Sequence, residues 1–470
     1  MNNKYKFLIK NIGLLTVSSF ATKLLSFFLV PIYTNILTTT EYGTYDLIYT
    51  TIGILIPILT LDIQSAIFRF TMEKDFDDYA IVSVSGIYFL LSSVFVIIAL
   101  LLNRVFQLSS VLDQYAIFFV LMFITQNLLA ISTAYARGRE YIRDLSISSV
   151  ITSVVVILSN IIFLVGFRWG MNGYFIANIM GPLVQSIYLV YRTEMYKKIK
   201  IKGKYANEKK EMVSYSKPLI INSIAWWINN VSDRYIVTFF LGLAENGVYS
   251  VASKIPSILN ILQTIFNQAW TLSAVKDYDP EDKNDFFKNT YSLYNAIMVL
   301  GCSLIIVFDK LLARFLYAKD FYVAWRYVPW LTIAIVFGAL SGYLGGFFAA
   351  AKNSKIFAQS TVIGAVLNIL LNLILTPIIG ALGAAIATTV SYIVVWAVRL
   401  YHSRKFIKFE INLIRDLETY ILMIVQSIIL LFVENNIVLY TSEVIVFAII
   451  AILYRKDLLL VLRKFDKKGR

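Results

Sequence analysis

The sequence predicts an all-α integral membrane protein with about 14 transmembrane helices, because its apolar residues fall in unbroken runs of the ~20 residues that a membrane-spanning helix needs. Of the 470 residues, 58% are hydrophobic and 15% are charged, whereas an average soluble domain has about 25% charged residues. An ordinary soluble enzyme is therefore excluded. The runs also lack the two-residue alternation of a transmembrane β-barrel strand, so a porin is not expected.

The first span needs its own justification, because a basic start followed by an apolar run is also typical of a secretion signal. Here the run contains Lys23 and continues to about Leu37 without a short core and a small-residue cleavage site, so we interpret it as an uncleaved helix. Prolines predict kinks in the second and eighth spans, at Pro57 and Pro256. The predicted spans are residues 11–36, 43–68, 80–102, 115–136, 145–167, 172–191, 215–241, 247–275, 291–308, 327–350, 356–378, 381–400, 416–434 and 437–454.

The distribution of basic residues predicts the orientation of these spans. With both termini in the cytoplasm, 34 of the 43 Lys and Arg residues lie on the cytoplasmic side, six lie outside, and three lie within spans. Cytoplasmic loops collect Lys and Arg, so we expect a multi-pass membrane protein with both termini cytoplasmic. The same rule accounts for the net charge of +14 without a nucleic-acid partner.

Two internal echoes predict a duplicated architecture. Segments 37–45 and 241–249 share the frame L-x3-E-x-G-x-Y, and segments 170–177 and 380–387 share G-x2-G-x3-A. We expect two pseudo-symmetric six-helix halves in a parallel repeat plus a C-terminal helix pair, an arrangement typical of transporters. The alternative is chance similarity between apolar segments. The predicted domains are an N-terminal lobe (1–191), a cytoplasmic basic linker (192–217), a C-terminal lobe (218–400), and a terminal helix pair with a basic cytoplasmic tail (401–470).

Local chemistry also explains the repeated frame. Gly43 and Gly247 are expected in tight turns, and Glu41 and Glu245 are expected near helix N-termini, where negative charge is favoured. The frame is thus interpreted as a conformational hinge at the outer mouth and not as a substrate contact.

Polar residues concentrate in the first, second, seventh and eighth spans, which are equivalent pairs in the two halves. Charged groups inside a bilayer usually face a cavity or a partner, so these helices are predicted to line a hydrated, cationic cavity. The predicted substrate-binding residues are Lys23, Lys254, Arg234, Asn230, Trp227 and Asn267. The residues predicted for ion coupling or charge pairing are Asp62, Asp233 and Arg69.

Each of these assignments has a structural alternative. Arg234 could pair with Asp233 or extend to the outer interface, and Arg69 could extend to the inner one. Lys23 could bond a carbonyl of a neighbouring helix. Trp226 and Trp227 could belong to the outer aromatic belt at the membrane surface instead of contacting sugars.

With these motifs, the chain resembles the bacterial polysaccharide-repeat flippases, which export undecaprenyl-pyrophosphate-linked O-antigen, capsule or teichuronic-type units. Their superfamily also contains multidrug and toxic-compound extrusion transporters and lipid II flippases. The resemblance implies location in the bacterial cytoplasmic membrane, alternating access, no catalytic residues, and basic residues such as Lys23 and Lys254 that hold the pyrophosphate. It rests on Asn11-Ile-Gly13, Lys23, Pro31, the frames at 37–45 and 241–249, the segment that begins at Gly380, and the closing pair of spans.

Two other functions stay open. A proton- or sodium-coupled exporter of small molecules or drugs would use Asp62 or Asp233 as its ion site, and a membrane polymerase or ligase would act on lipid-linked sugars but usually carries a larger external loop. No cofactor or metal is expected, since the chain has one cysteine and one histidine. Coupling of transport to the membrane potential or to Na⁺/H⁺ is expected. The expected partners are the lipid-linked oligosaccharide, membrane lipids and other polysaccharide-assembly proteins.

Overall fold

The structure is a computed structural model, and the residues that it describes are all α-helical or in connecting turns. Most of the first predicted span, with Lys23, lies outside them. The chain divides into two compact units, Met1–Val231 and Ser232–Arg470, and the predicted domain boundaries stay predictions. The described ranges are 27–73, 76–200, 205–276, 278–283, 285–351, 353–408 and 410–457.

The first unit holds nine of the described α-helices and the first part of a tenth. In this unit α7 packs along α8, α8 packs against α6, and α6 packs against α3. A π-helical segment continues α7 over Ile161–Gly166, and a 3₁₀ turn at Met195–Lys198 follows α8. The helices are α1 (Val30–Ile36), α2 (Thr39–Leu59), α3 (Ile63–Thr71), α4 (Asp78–Phe106), α5 (Ser110–Gln114), α6 (Ala116–Gly138), α7 (Ile142–Asn160), α8 (Gly170–Arg192), α9 (Ala206–Ser216) and α10 (Leu219–Leu241).

The second unit continues from the end of α10 with eight further helices in its described part. Here α16 packs along both α14 and α15, and the terminal helices α17 and α18 pack on each other and on α13. A 3₁₀ segment at Lys319–Arg326 joins α13 to α14. The helices are α11 (Leu243–Ala252), α12 (Ser257–Lys276), α13 (Phe286–Leu316), α14 (Val328–Ala350), α15 (Ser354–Ile379), α16 (Ala381–Ser403), α17 (Leu413–Phe432) and α18 (Asn436–Leu453).

The predicted membrane fold is confirmed. Ten of the described helices are long and apolar enough to cross a bilayer, and they coincide with ten predicted spans. Of the other four, the first lies largely outside the described residues, and the remaining three correspond to α10, α12 and α17. Those three helices are polar for identifiable reasons: α10 carries Asp233 and Arg234, α12 carries amides, and α17 begins with Arg415 and Asp416.

The repeated frame starts a helix in both units, but its glycines do not form turns. Thr38 caps α2, and its side chain and Glu41 satisfy each other's backbone N–H groups in a capping box. Glu245 likewise lies in the first turn of α11. The prediction of tight turns at Gly43 and Gly247 was wrong, because both glycines lie inside helices. In the second unit the turn residue is Gly242, whose φ is 89°, a conformation that favours glycine.

The second echo has the same structural meaning in both units. Gly170 and Gly380 precede or begin equivalent helices, with φ of 53° and 70°. Three residues later, Gly173 and Gly383 lie so close to the preceding helix that a β-carbon would come within 3.0 Å of Phe163 and 2.4 Å of Leu375. Glycine is needed twice in each echo, once for the turn and once for close packing.

This packing makes a stability prediction. Gly383→Ala is expected to lower the free energy of unfolding by about 1–3 kcal/mol, because the added methyl group overpacks against a backbone carbonyl. Gly86→Ala in α4 is the control: its β-carbon would meet nothing within 4 Å, so stability should stay equal or rise by about 0.5–1 kcal/mol. Thermal unfolding of both purified variants checks this, and equal melting temperatures would contradict the close packing.

Candidate functional site

A buried residue of the predicted charged set lies in the second unit, in the second half of α10. Asp233 is 8% exposed, and its carboxylate accepts hydrogen bonds from the Tyr249 hydroxyl at 2.6 Å and from the Arg234 backbone N–H at 2.9 Å. Tyr249 is the last residue of the repeated frame and is itself 3% exposed. The frame therefore supplies a direct partner to an intramembrane carboxylate.

The contacts continue from Tyr249 into a buried polar network. Tyr249 also interacts with the Thr388 side chain of α16. Asn368 of α15 donates to the Thr388 hydroxyl at 3.2 Å, and Asn372 donates to the Asn368 side-chain oxygen at 3.2 Å. All of these side chains are buried, and polar groups buried among apolar helices need such partners.

The network has the chemistry of a small-cation site. It joins α10, α11, α15 and α16 and combines one carboxylate with amide and hydroxyl oxygens, which are the ligands that hard cations prefer. A carboxylate inside a membrane protein is a functional candidate by default. In the part of the chain that the structure describes, no group of three or more His, Cys, Asp or Glu residues could hold a metal ion, so a cation here would depend on neutral oxygens.

Two other predicted binding residues, Lys254 and Asn267, also lie in the second unit. The predicted eighth span is broken into α11 and α12 by a turn over residues 253–256, which ends at Pro256. Partly buried Lys254 lies in this turn. The Ser257 hydroxyl donates to the Lys254 carbonyl at 2.6 Å and closes this turn. Asn267 of α12 packs against α14, since a β-carbon on Gly342 would lie 3.2 Å from its amide.

The predicted residues of the first half of α10 have local structural partners. The Trp227 indole donates to the Thr50 carbonyl of α2 at 3.0 Å. This hydrogen bond joins the first half of α10 to α2 within the first unit. Asn230 is exposed, and its amide donates to the Trp226 carbonyl at 2.6 Å. Trp226 is 66% exposed, as expected for a ring of the aromatic belt.

Asp62 and Arg69 lie at opposite ends of α3 and have different surroundings. Asp62 is buried at a turn with φ of 52° and accepts hydrogen bonds from Gln64 at 2.7 Å and Ser65 at 2.8 Å. Arg69 is half exposed and forms an ion pair with Glu73 at 2.8 Å. It borders a cleft of about 620 Å³ beside α9. This position agrees with the alternative that Arg69 extends to the aqueous interface at the end of its span.

Ion pairs in the first unit hold the start of the predicted linker in place. The Asp78 carboxylate accepts hydrogen bonds from Arg139 at 3.1 Å, from Tyr135 at 3.0 Å and from Lys198 at 2.8 Å. Burial lowers the pKa of Lys198, but its hydrogen bonds to Asp78 and Tyr135 outweigh burial, and the net pKa is raised. Lys198 therefore stays charged at neutral pH and anchors the 3₁₀ turn to α4 and α6.

Sequence reasoning missed two kinds of residue. Arg399 counts as a cytoplasmic loop cation in the charge pattern, yet it is 5% exposed in α16 and donates to Ser360, Thr361 and the Ser341 carbonyl at 2.9 Å each. Thr388 was also missed. The sequence signal that pointed toward Thr388 was the position of Asn368 and Asn372 on one face of the eleventh span. That spacing marks a polar helix face but does not show which residue of another helix it contacts.

Comparison with known proteins gives one family match and one curated relative. The profile of a family described as "Polysaccharide biosynthesis protein" matches residues 8–275. The relative is the "Probable low-salt glycan biosynthesis flippase Agl15" of Haloferax volcanii, which is 21% identical over 203 residues, or 42% of this chain. The match spans 43% of that relative's length.

Solved structures of membrane transporters share the fold. The lipid II flippase MurJ in an inward closed conformation matches with a TM-score of 0.69 and 16% identity over 94% of this chain and 99% of that one. An inward-facing multidrug resistance MATE family transporter of the MOP superfamily matches with a TM-score of 0.65 and 15% identity, over 82% and 95%. Such low identities show the shared fold alone.

Proposed function

Because the chain belongs to the polysaccharide biosynthesis protein family, we propose that it is a flippase for undecaprenyl-pyrophosphate-linked oligosaccharide repeat units. It moves them from the cytoplasmic to the outer leaflet of the bacterial cytoplasmic membrane. The observation that carries this proposal is the family match over residues 8–275, which joins polysaccharide biosynthesis to a multi-pass transporter fold. The curated relative is named as a glycan biosynthesis flippase, and this supports a lipid-linked glycan as cargo.

The physical task explains the proposed binding residues. A charged, hydrophilic headgroup has to cross ~30 Å of hydrocarbon, and a cationic, amide-rich cavity can replace its water. In this proposal Lys23, Lys254 and Arg234 hold the pyrophosphate, while Asn230, Trp227 and Asn267 contact the sugars. The prenyl tail stays in lipid, and the two halves open alternately to each side.

The proposed energy source is the ion gradient or the membrane potential. The Asp233 network is the proposed cation site, since its carboxylate is buried among neutral oxygens that can complete the coordination of Na⁺ or transfer a proton. The membrane potential contributes about 2.3 kcal/mol per charge per 100 mV. A cation held at Asp233 would therefore bias the halves toward one orientation.

Ion-coupled export of small molecules is the second candidate function. The observation that favours it is the fold shared with the multidrug resistance transporter, at a TM-score close to that of the lipid II flippase. The family match over more than half of the chain favours the lipid-linked glycan.

Reconstitution tests the choice between the two. Purified protein in vesicles that contain a lipid-linked oligosaccharide is expected to make the inner-leaflet glycan accessible to an added membrane-impermeant lectin. Protein-free vesicles, and vesicles with an unrelated membrane protein, should expose only the outer half. Failure to expose the glycan, together with gradient-driven movement of a cationic dye, would favour small-molecule export.

A further inference from the structure

Two acidic side chains that no step above uses lie buried between α13 and the terminal helix α18. Asp309 and Glu443 are both 0% exposed. The predicted ninth span ended at residue 308 and left Asp309 in an outer loop; that boundary was wrong, because α13 continues to Leu316. The extension carries Asp309 into the protein interior.

The two carboxyls lack the hydrogen bonds that buried ions need. Neither oxygen of Asp309 has a hydrogen-bond partner in the described part of the chain, and the same holds for Oε1 of Glu443. The other Glu443 oxygen accepts a hydrogen bond from Gln426 of α17 at 3.0 Å, and Gln426 in turn accepts one from Ser303 of α13 at 2.7 Å. Glu443 is thus held in place, while three carboxyl oxygens stay available.

The ionised groups around Asp309 and Glu443 have a net negative charge, which one additional positive charge would neutralise. Asp309 interacts electrostatically with Glu443 and with Lys310, whose ammonium lies 4.5 Å from the centre of the Trp325 ring. Two carboxylates and one ammonium carry a net charge of −1, which is costly in an apolar interior. The other titratable groups nearby are Tyr317 at the end of α13 and the exposed Arg314 and Arg326.

We propose that Asp309 and Glu443 form a proton-binding site that joins the terminal helix pair to α13. A hydronium ion from the outer side would transfer its proton to one carboxylate oxygen and leave as water. The new O–H would then donate to the other carboxylate and satisfy oxygens that have no donor now. Loss of the proton would leave two like charges facing each other and loosen α18 from α13.

The site is separate from the proposed transport cavity. It involves none of the predicted substrate or ion residues, and its assay needs no lipid-linked sugar. Failure of the proton-binding proposal can thus be told apart from failure of the proposed flippase.

The test uses the full-length protein in lipid nanodiscs. The melting temperature of the wild type is expected to fall as pH rises through the transition of the pair, because both carboxyls are then ionised and buried. The double variant Asp309→Asn/Glu443→Gln carries neutral side chains of the same shape and is expected to lose this pH dependence. Glu418→Gln, which removes an exposed acid on α17, is the matched control and should keep the wild-type slope.

A second readout keeps the proposal testable if the double variant does not fold. Infrared difference spectra of the wild type between low and high pH should contain the carbonyl band of a protonated carboxyl, and either single variant should lose or shift it. The same band and the same pH slope in all variants would overturn the proposal. Stabilisation by Na⁺ at constant pH, absent from the variants, would overturn it in favour of a metal cation.

Discussion

Lys254→Ala is expected to reduce translocation of the lipid-linked oligosaccharide about ten- to hundredfold, because a hydrogen bond to a charged group contributes about 1.5–3 kcal/mol. Lys254 lies partly buried in the turn between α11 and α12, just before the amide-bearing helix α12. Lys254→Arg keeps the positive charge and should retain most of the activity. The measurement is lectin accessibility in vesicles, together with surface polysaccharide in a strain that depends on this gene.

Lys197→Ala is the matched control for charge loss. Lys197 is an exposed cation that pairs with Glu194 at 2.8 Å, so its removal should leave translocation unchanged. Lys23→Ala is expected to act like Lys254→Ala, since the two residues are proposed to hold the same pyrophosphate. Wild-type translocation by both alanine variants, at equal expression, would remove these lysines from the binding site.

Asp233→Asn is expected to abolish the acceleration of translocation by an imposed Na⁺ or proton gradient. The amide has the shape of the carboxyl group and can still accept the Tyr249 hydrogen bond, so the fold should survive while the negative charge is lost. The measurement compares the translocation rates of wild type and variant with Na⁺, pH and voltage gradients applied one at a time.

Two further variants separate charge from packing at this site. Tyr249→Phe removes the hydroxyl that links Asp233 to Thr388 and should weaken the gradient response without abolishing it. Asp113→Asn removes an exposed acid that pairs with Arg104 and should change nothing. A full gradient response in Asp233→Asn would show that the cation binds elsewhere.

The membrane fold could be predicted because the bilayer imposes simple rules. Every spanning segment must form its backbone hydrogen bonds internally and expose apolar side chains to lipid, so spans appear as long apolar runs that form helices. Lys and Arg residues indicate which loops stay in the cytoplasm. The glycine echo at Gly170 and Gly380 was equally visible, since turn and packing positions accept little else. Glu41 and Glu245 were placed correctly at helix starts by the same local chemistry.

Helix ends and buried partners could not be predicted in this way. Asp309 looked like a loop residue because hydropathy falls where charge appears, yet α13 continues past it to Leu316. Arg399 was counted with the loop cations, yet its side chain is buried in α16. Gly43 and Gly247 looked like turn residues, but α2 and α11 begin before them, α2 at the Thr38–Glu41 capping box, and both glycines lie within helices.

The amino-acid sequence by itself determined that this protein is a bundle of membrane helices with an internal repeat, because solvation acts on each segment separately. It also marked Asp233, Asn368 and Asn372 as polar residues in apolar surroundings. Only the tertiary structure decided that Asp233 meets Tyr249 and that Asn368 meets Asn372 and Thr388. It also decided that Asp309 and Glu443, which are 134 positions apart in sequence, are both buried on helices that pack together and interact electrostatically. Contacts between distant helices depend on how all their side chains pack together, which no single segment encodes.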